Sequence, residues 1–124
     1  MTTAHQVGAS YWAAIEKRDW AAFAALLDAE VVYELPQTRE RIRGRDGYVR
    51  FNAEYPGDWH VRVERVIGED RHAATWTRFT VGGDTQSALT FLELGADELI
   101  VKVTDFWPEP YDPPAGREHL VERY

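Results

Sequence analysis

WHVRVERVIGEDRHAATWTRFTVGGDTQSALTFLELGADELIVKVTDFW, residues 59–107, alternates apolar and polar side chains with a period of two. The alternation breaks at Gly68-Glu69-Asp70, Gly82-Gly83-Asp84 and Gly95-Ala96-Asp97. These residue types favour turns, so the stretch reads as four strands joined by three consecutive hairpins. Runs of about eight to ten residues exceed the usual strand of roughly five or six, and a sheet of such strands twists strongly and curls. The concave side of a curled sheet needs a cover.

Three helical patterns upstream supply one. Val7, Tyr11, Trp12, Ala14 and Ile15 recur at spacings of three and four, the apolar stripe of a helix over residues 5–17. Asp19 is placed to cap a second helix carrying Trp20, Phe23, Leu26 and Leu27 and ending near Asp28. Val31 to Leu35 is a β-branched and aromatic run stopped by Pro36, hence a strand, followed by a polar loop from Gln37 to Arg45. Asp46 reads as the cap of a third helix that presents Tyr48, Phe51 and Tyr55 before Pro56. Residues 108–124 hold four of the six prolines and cannot extend the ladder. The chain therefore divides into a domain over 1–110 and a proline-rich tail over 111–124, in the α+β class, with three helices on a curved antiparallel sheet enclosing a cone-shaped pocket.

Composition narrows the functions. With 124 residues, 44% of them hydrophobic, the chain closes one core. Fourteen basic against twenty-one acidic residues give a net charge of −7, which argues against nucleic acid and against anionic membrane surfaces. No run approaches the roughly 18 apolar residues of a membrane helix, and MTTAHQVGAS lacks the pattern of a secretion signal, so the expected setting is the cytoplasm. The absence of cysteine excludes thiolate chemistry. His5, His60, His72 and His119 are scattered without ligand spacing, and no glycine-rich phosphate cradle is present, so no metal or cofactor is expected. Sixteen aromatic residues are more than a core this small requires, and they point to a hydrophobic small molecule as the ligand.

Asp105 is the most informative residue. The last strand phases Leu99, Val101, Val103, Asp105 and Trp107 onto one face and Ile100, Lys102, Thr104 and Phe106 onto the other. A carboxyl group thus shares the apolar face, where desolvation raises its pKa, as at many functional sites. A buried structural pair with an arginine or a tyrosine hydroxyl is the other reading. Arg78 is the candidate partner if its side of the strand faces inward; if so, it would also anchor an anionic group of the ligand.

The order of a helix, a second helix opened by Arg18-Asp19-Trp20, a strand ending at Pro36, the Gly44 loop with its helix, and long strands ending in Asp105-Phe106-Trp107 resembles the SnoaL-like branch of the nuclear transport factor 2-like (NTF2-like) superfamily. The resemblance implies a cone-shaped pocket and, in several branches, isomerase, polyketide cyclase, epoxide hydrolase or dehydratase activity. Tyr11, eight residues before Asp19, matches the tyrosine that donates to the oxyanion in steroid Δ-isomerases. Leu35 stands where those enzymes carry their base, and Ser87 where they carry a second oxyanion donor. Arg78 is followed by Thr80 where the epoxide hydrolases pair an arginine with an aspartate. The leading expectation is a cofactor-free enzyme in which Asp105 exchanges a proton and Tyr11 holds the oxygen of a cyclic carbonyl or hydroxyl compound. Tyr33 and Trp107 would pack on that compound, with Leu35, Phe91 and Ser87 completing the wall. The alternative is a non-catalytic binding or dimerisation module. Either way the outward strand faces keep apolar area, so a homodimer is expected.

Overall fold

The computed structural model describes residues 2–124. Its first element, α1 (Ala4–Lys17), opens with Thr3 and Gln6 exchanging reciprocal caps, and closes at Arg18 in the left-handed conformation. Asp19 caps α2 (Trp20–Ala25) as anticipated, accepting at 3.0 Å from the Ala22 amide. That helix is shorter than its apolar pattern, because Leu27 already belongs to β1 (Leu27–Leu35). The segment read as a polar loop contains β2 (Glu40–Arg43), which folds back on β1 with Leu35 opposite Glu40. Helix α3 (Arg45–Ala53) follows, capped by Gly44 rather than by Asp46, which lies inside the first turn. Gly44 has φ of 95°, a conformation that an L side chain resists.

The four long runs form β3 (Trp59–Glu69), β4 (His72–Val81), β5 (Asp84–Leu94) and β6 (Ile100–Phe106). The meander is as expected, but the sheet is not purely antiparallel. Its order is β2-β1-β6-β5-β4-β3, and β1 joins β6 in parallel, with Tyr33 opposite Val103. The result is three helices on a curved, unclosed mixed sheet of six strands in an α+β fold. A parallel pair needs a long connection, and here most of the chain supplies it.

The helices pack on one face. Helix α1 lies over β3 and β4, so close that a Cβ on Gly68 would stand 2.5 Å from the backbone nitrogen of His5. Phe23, Leu27, Val31, Ile100 and Val103 are fully buried between the layers. On β5 the inward face is Ala88, Thr90, Leu92 and Leu94, which leaves Leu89 and Phe91 outside. On β6 a bulge opposite the step from Glu93 to Leu94 changes the phase. Val101, expected inside, is exposed and Ile100, expected outside, is buried, while Val103 and Asp105 keep the predicted orientation. After Trp107 the chain forms no further strand and only a short turn of helix at Glu118–Leu120, and Tyr111 and Leu120 are exposed.

Candidate active site

Between the helices and the concave face lies a cavity of about 360 Å³. Every secondary-structure layer contributes to it: Tyr11 from α1, Tyr33 from β1, Tyr48 and Phe51 from α3, Phe79 from β4, and Asp105 from β6. Aromatic rings dominate its walls. Tyr33 stacks on Tyr48 at 4.3 Å between centroids, and Phe79 meets Trp107 edge-on at 5.1 Å. Such pairs add roughly 0.5–1.5 kcal/mol each beyond the area they bury, so the walls are stiff without any ligand.

Asp105 is 4% exposed. The Tyr33 hydroxyl donates to its Oδ2 at 2.6 Å and the Trp107 Nε1–H donates to the same oxygen at 2.9 Å, while the Thr90 hydroxyl donates to Oδ1 at 2.6 Å. All three donors are neutral. Burial pushes the carboxyl up from its ordinary range, and the bonds from Thr90, Tyr33 and Trp107 pull it part of the way back. Tyr33 itself is driven upward by burial and by the nearby Tyr48 and Asp105, so its hydroxyl keeps its proton and remains a donor.

Tyr11 lines the cavity, but its hydroxyl is paired with that of Tyr48 rather than with Asp105. Burial holds both phenols in the neutral form, with Tyr48 and Asp105 adding to the effect on Tyr11. The hydroxyl pair and the Asp105 carboxyl group are separate polar features on a mainly aromatic wall, which Glu40, Asn52 and Gln86 also line. A buried acid whose pKa is raised and a pair of phenolic hydroxyls are the components of proton transfer to and from a carbon beside a carbonyl.

Tyr33, Leu35 and Trp107 line the cavity as the sequence predicts. Tyr33 and Trp107 have the further task of holding Asp105, which their positions alone did not indicate. Three candidate residues lie outside the cavity, Arg78 among them, whose orientation the sequence left open. Ser87 and Phe91 share the outer face of β5, and neither touches the cavity. Phe91, 47% exposed, meets Phe106 edge-on on that outer face. Arg78 also points outward, opposite Arg62, its Nε donating at 3.1 Å to Glu64, the residue left unpaired at the bulge in β3. No ion pair between Arg78 and Asp105 exists, and no basic residue of the segment 39–45 lines the cavity.

Sequence reasoning missed Tyr48, Thr90, Trp59 and Phe79 as site residues. Trp59 is held by a contact outside the cavity: the Arg18 guanidinium lies 3.5 Å from the centre of its ring and donates to its carbonyl. At the mouth, Gln37 Oε1 accepts from the Trp107 amide at 2.5 Å and ties the turn after β1 to the end of β6.

Comparison with known proteins agrees with this geometry. Among proteins of curated function none matches the chain. A protein from Kribbella flavida DSM 17836 with a provisional ketosteroid isomerase assignment is 49% identical, with 98% of this chain and 89% of that one superposing at a TM-score of 0.95. An epoxide hydrolase of M. tuberculosis, described as LEH-like, is 19% identical over 85% of this chain and 82% of that one, with a TM-score of 0.71. A provisionally assigned SnoaL-like polyketide cyclase from Shewanella denitrificans OS-217 is 11% identical over 85% and 90% of the two chains, with a TM-score of 0.74, and like the hydrolase speaks to the fold alone. The sequence profile of the SnoaL-like domain matches residues 9–103, and the chain therefore belongs to the SnoaL-like domain family of the NTF2-like superfamily.

Proposed function

We propose that the protein is an acid/base enzyme acting on a hydrophobic cyclic carbonyl or hydroxyl compound, as an isomerase, cyclase or hydratase/hydrolase whose proton-transferring group is Asp105. The observation that carries this reading is a buried carboxyl facing an aromatic cavity, supported by three neutral donors and by no cation. The Tyr33 hydroxyl pairs with Asp105 as a structural role also allows, but it does so beside a cavity, and a structural ion pair would call for a cation locked on Asp105. Arg78, the candidate, is instead engaged with Glu64 on the far side of the sheet. The provisional isomerase assignment of the Kribbella flavida relative supports the same chemistry.

In the simplest cycle the Asp105 carboxylate takes a proton from a carbon adjacent to the carbonyl, and the electron pair moves onto the oxygen. The Tyr11–Tyr48 hydroxyl pair donates to that oxygen. Asp105, now a neutral acid favoured by its burial, returns the proton to the substrate. The test is to follow 3-cyclohexen-1-one and its conversion to 2-cyclohexen-1-one by proton NMR in D2O, together with a panel of cyclic epoxides and hydroxy ketones. Wild type should process at least one of them, and Asp105→Asn should lose about 100-fold or more of that rate. Equal rates for the two proteins would overturn the assignment.

A further inference from the structure

Among the described residues no lysine, arginine or histidine lines the cavity, whereas Asp105 and Glu40 both do. The ligand-free cavity thus presents carboxyl groups and aromatic rings without a counter-charge. Asp105 also has spare capacity. A carboxylate offers about four lone-pair positions. Tyr33 and Trp107 occupy Oδ2, and Thr90 takes one position on Oδ1. One acceptor position remains, on Oδ1. The groups facing Asp105 from the neighbouring elements are phenols, Tyr11 from α1, Tyr33 from β1 and Tyr48 from α3, and burial keeps all three uncharged.

We infer that this cavity is a binding site for hydrophobic tertiary amines in their protonated form, the single ammonium N–H donating to Oδ1 of Asp105 and the aromatic walls enclosing the alkyl groups. Each part of such a ligand has a counterpart. Its one N–H matches the one free acceptor, its positive charge completes the ion pair that the fold leaves half-built, and its apolar surface meets rings whose faces attract cations. A net charge of −7 draws cations toward the protein at long range. Carboxylates and phosphates, by contrast, would meet two acids and no donor cation. The inference goes beyond the proposed reaction, because it concerns which ligands the cavity holds and stands whether or not turnover occurs. In the enzyme such amines are competitive inhibitors, since the N–H takes the place of the C–H that Asp105 would attack.

The test compares ligands on one cyclohexyl skeleton by calorimetric titration of the full chain at neutral pH. N,N-dimethylcyclohexylamine is the cation with an N–H, N,N,N-trimethylcyclohexylammonium the cation without one, cyclohexyl methyl ketone the neutral form and cyclohexanecarboxylate the anion. The tertiary amine should bind about tenfold or more tightly than the ketone, the quaternary ion should fall between them, and the carboxylate should be weakest. Asp105→Asn should erase most of the amine's advantage over the ketone. A ketone that binds as tightly as the amine, a carboxylate that matches either, or an amine advantage that survives Asp105→Asn would overturn the inference. The ranking in wild type decides the matter even if the variant folds poorly. If the ranking fails while 3-cyclohexen-1-one is still isomerised, only this inference falls. If the ranking holds and no ketone reacts, only the proposed reaction does.

Discussion

The Tyr33 hydroxyl donates to Oδ2 of Asp105 at 2.6 Å from the neighbouring parallel strand, 72 residues away in the chain. This bond makes Tyr33 a support of the acid as well as a wall of the cavity. Removing it in Tyr33→Phe takes away a bond that favours the charged carboxylate, so the Asp105 pKa should rise further, and stability should drop by about 1 kcal/mol. Denaturant unfolding at neutral pH reads the second effect. If the acid limb of any activity profile stays where it is in wild type, Tyr33 does not tune Asp105.

Asp105→Asn should cost little in folding. The Asn amide oxygen can accept from Tyr33 and Trp107 while its NH2 donates to the Thr90 hydroxyl, whose own O–H then loses its acceptor, so the exchange orphans one neutral donor but no charge. Breaking a buried ion pair would cost about 3–5 kcal/mol, whereas here a loss of about 1–2 kcal/mol, that of one unsatisfied neutral donor, is expected. The pH dependence carries a definite sign. Because burial raises the folded-state pKa above the unfolded one, the native state binds the extra proton, and wild-type stability falls as pH rises from the ordinary aspartate value through the elevated one. The variant lacks this term. Its stability relative to wild type should therefore improve with pH over that window, and a parallel pair of curves would rule the shift out.

Arg78 serves as an internal control. It is half-buried on the outer face and shares Glu64 with Arg62, so Arg78→Ala should change stability by no more than about 1 kcal/mol and leave ligand affinity untouched. A large loss of ligand binding in this variant would put Arg78 back among the site residues.

The outer face of the sheet carries Trp76, Leu89, Phe91 and Val101, all exposed in the isolated subunit. We propose that two copies pair through this face, which gathers apolar side chains from β4, β5 and β6. Light scattering should report twice the chain mass for wild type, and Phe91→Glu should yield the single-chain mass with the cavity still able to bind ligand. A wild-type protein that runs as one chain at micromolar concentration contradicts the pairing.

The sequence made the long strands and Asp105 legible because a period of two survives through Val103, Asp105 and Trp107. It could not show the bulge that swaps Ile100 and Val101, since that depends on pairing with β5. Nor could it set the phase of β5, where Ala88, Leu92 and Leu94 on one face and Leu89 and Phe91 on the other are both apolar, so nothing in the strand pattern checks the isomerase resemblance that puts Ser87 and Phe91 in the site. Strand β2 was hidden in a run of charged residues whose only β signal is Ile42. The partnership of Tyr11 with Tyr48 joins two helices that touch only in the tertiary fold, and helix periodicity marks each tyrosine simply as apolar-facing.

The proposed chemistry requires Asp105 to be a buried acid with no cation beside it. Its most direct test is the titration of the Asp105 side-chain carboxyl carbon by 13C NMR, assigned by its absence in Asp105→Asn. The expected result is a midpoint above the ordinary aspartate value of about 3.9, moving upward again in Tyr33→Phe. A midpoint at or below that value in wild type would mean that the donors outweigh burial, that the group is a plain carboxylate at all working pH, and that its role as a proton-returning acid must be abandoned.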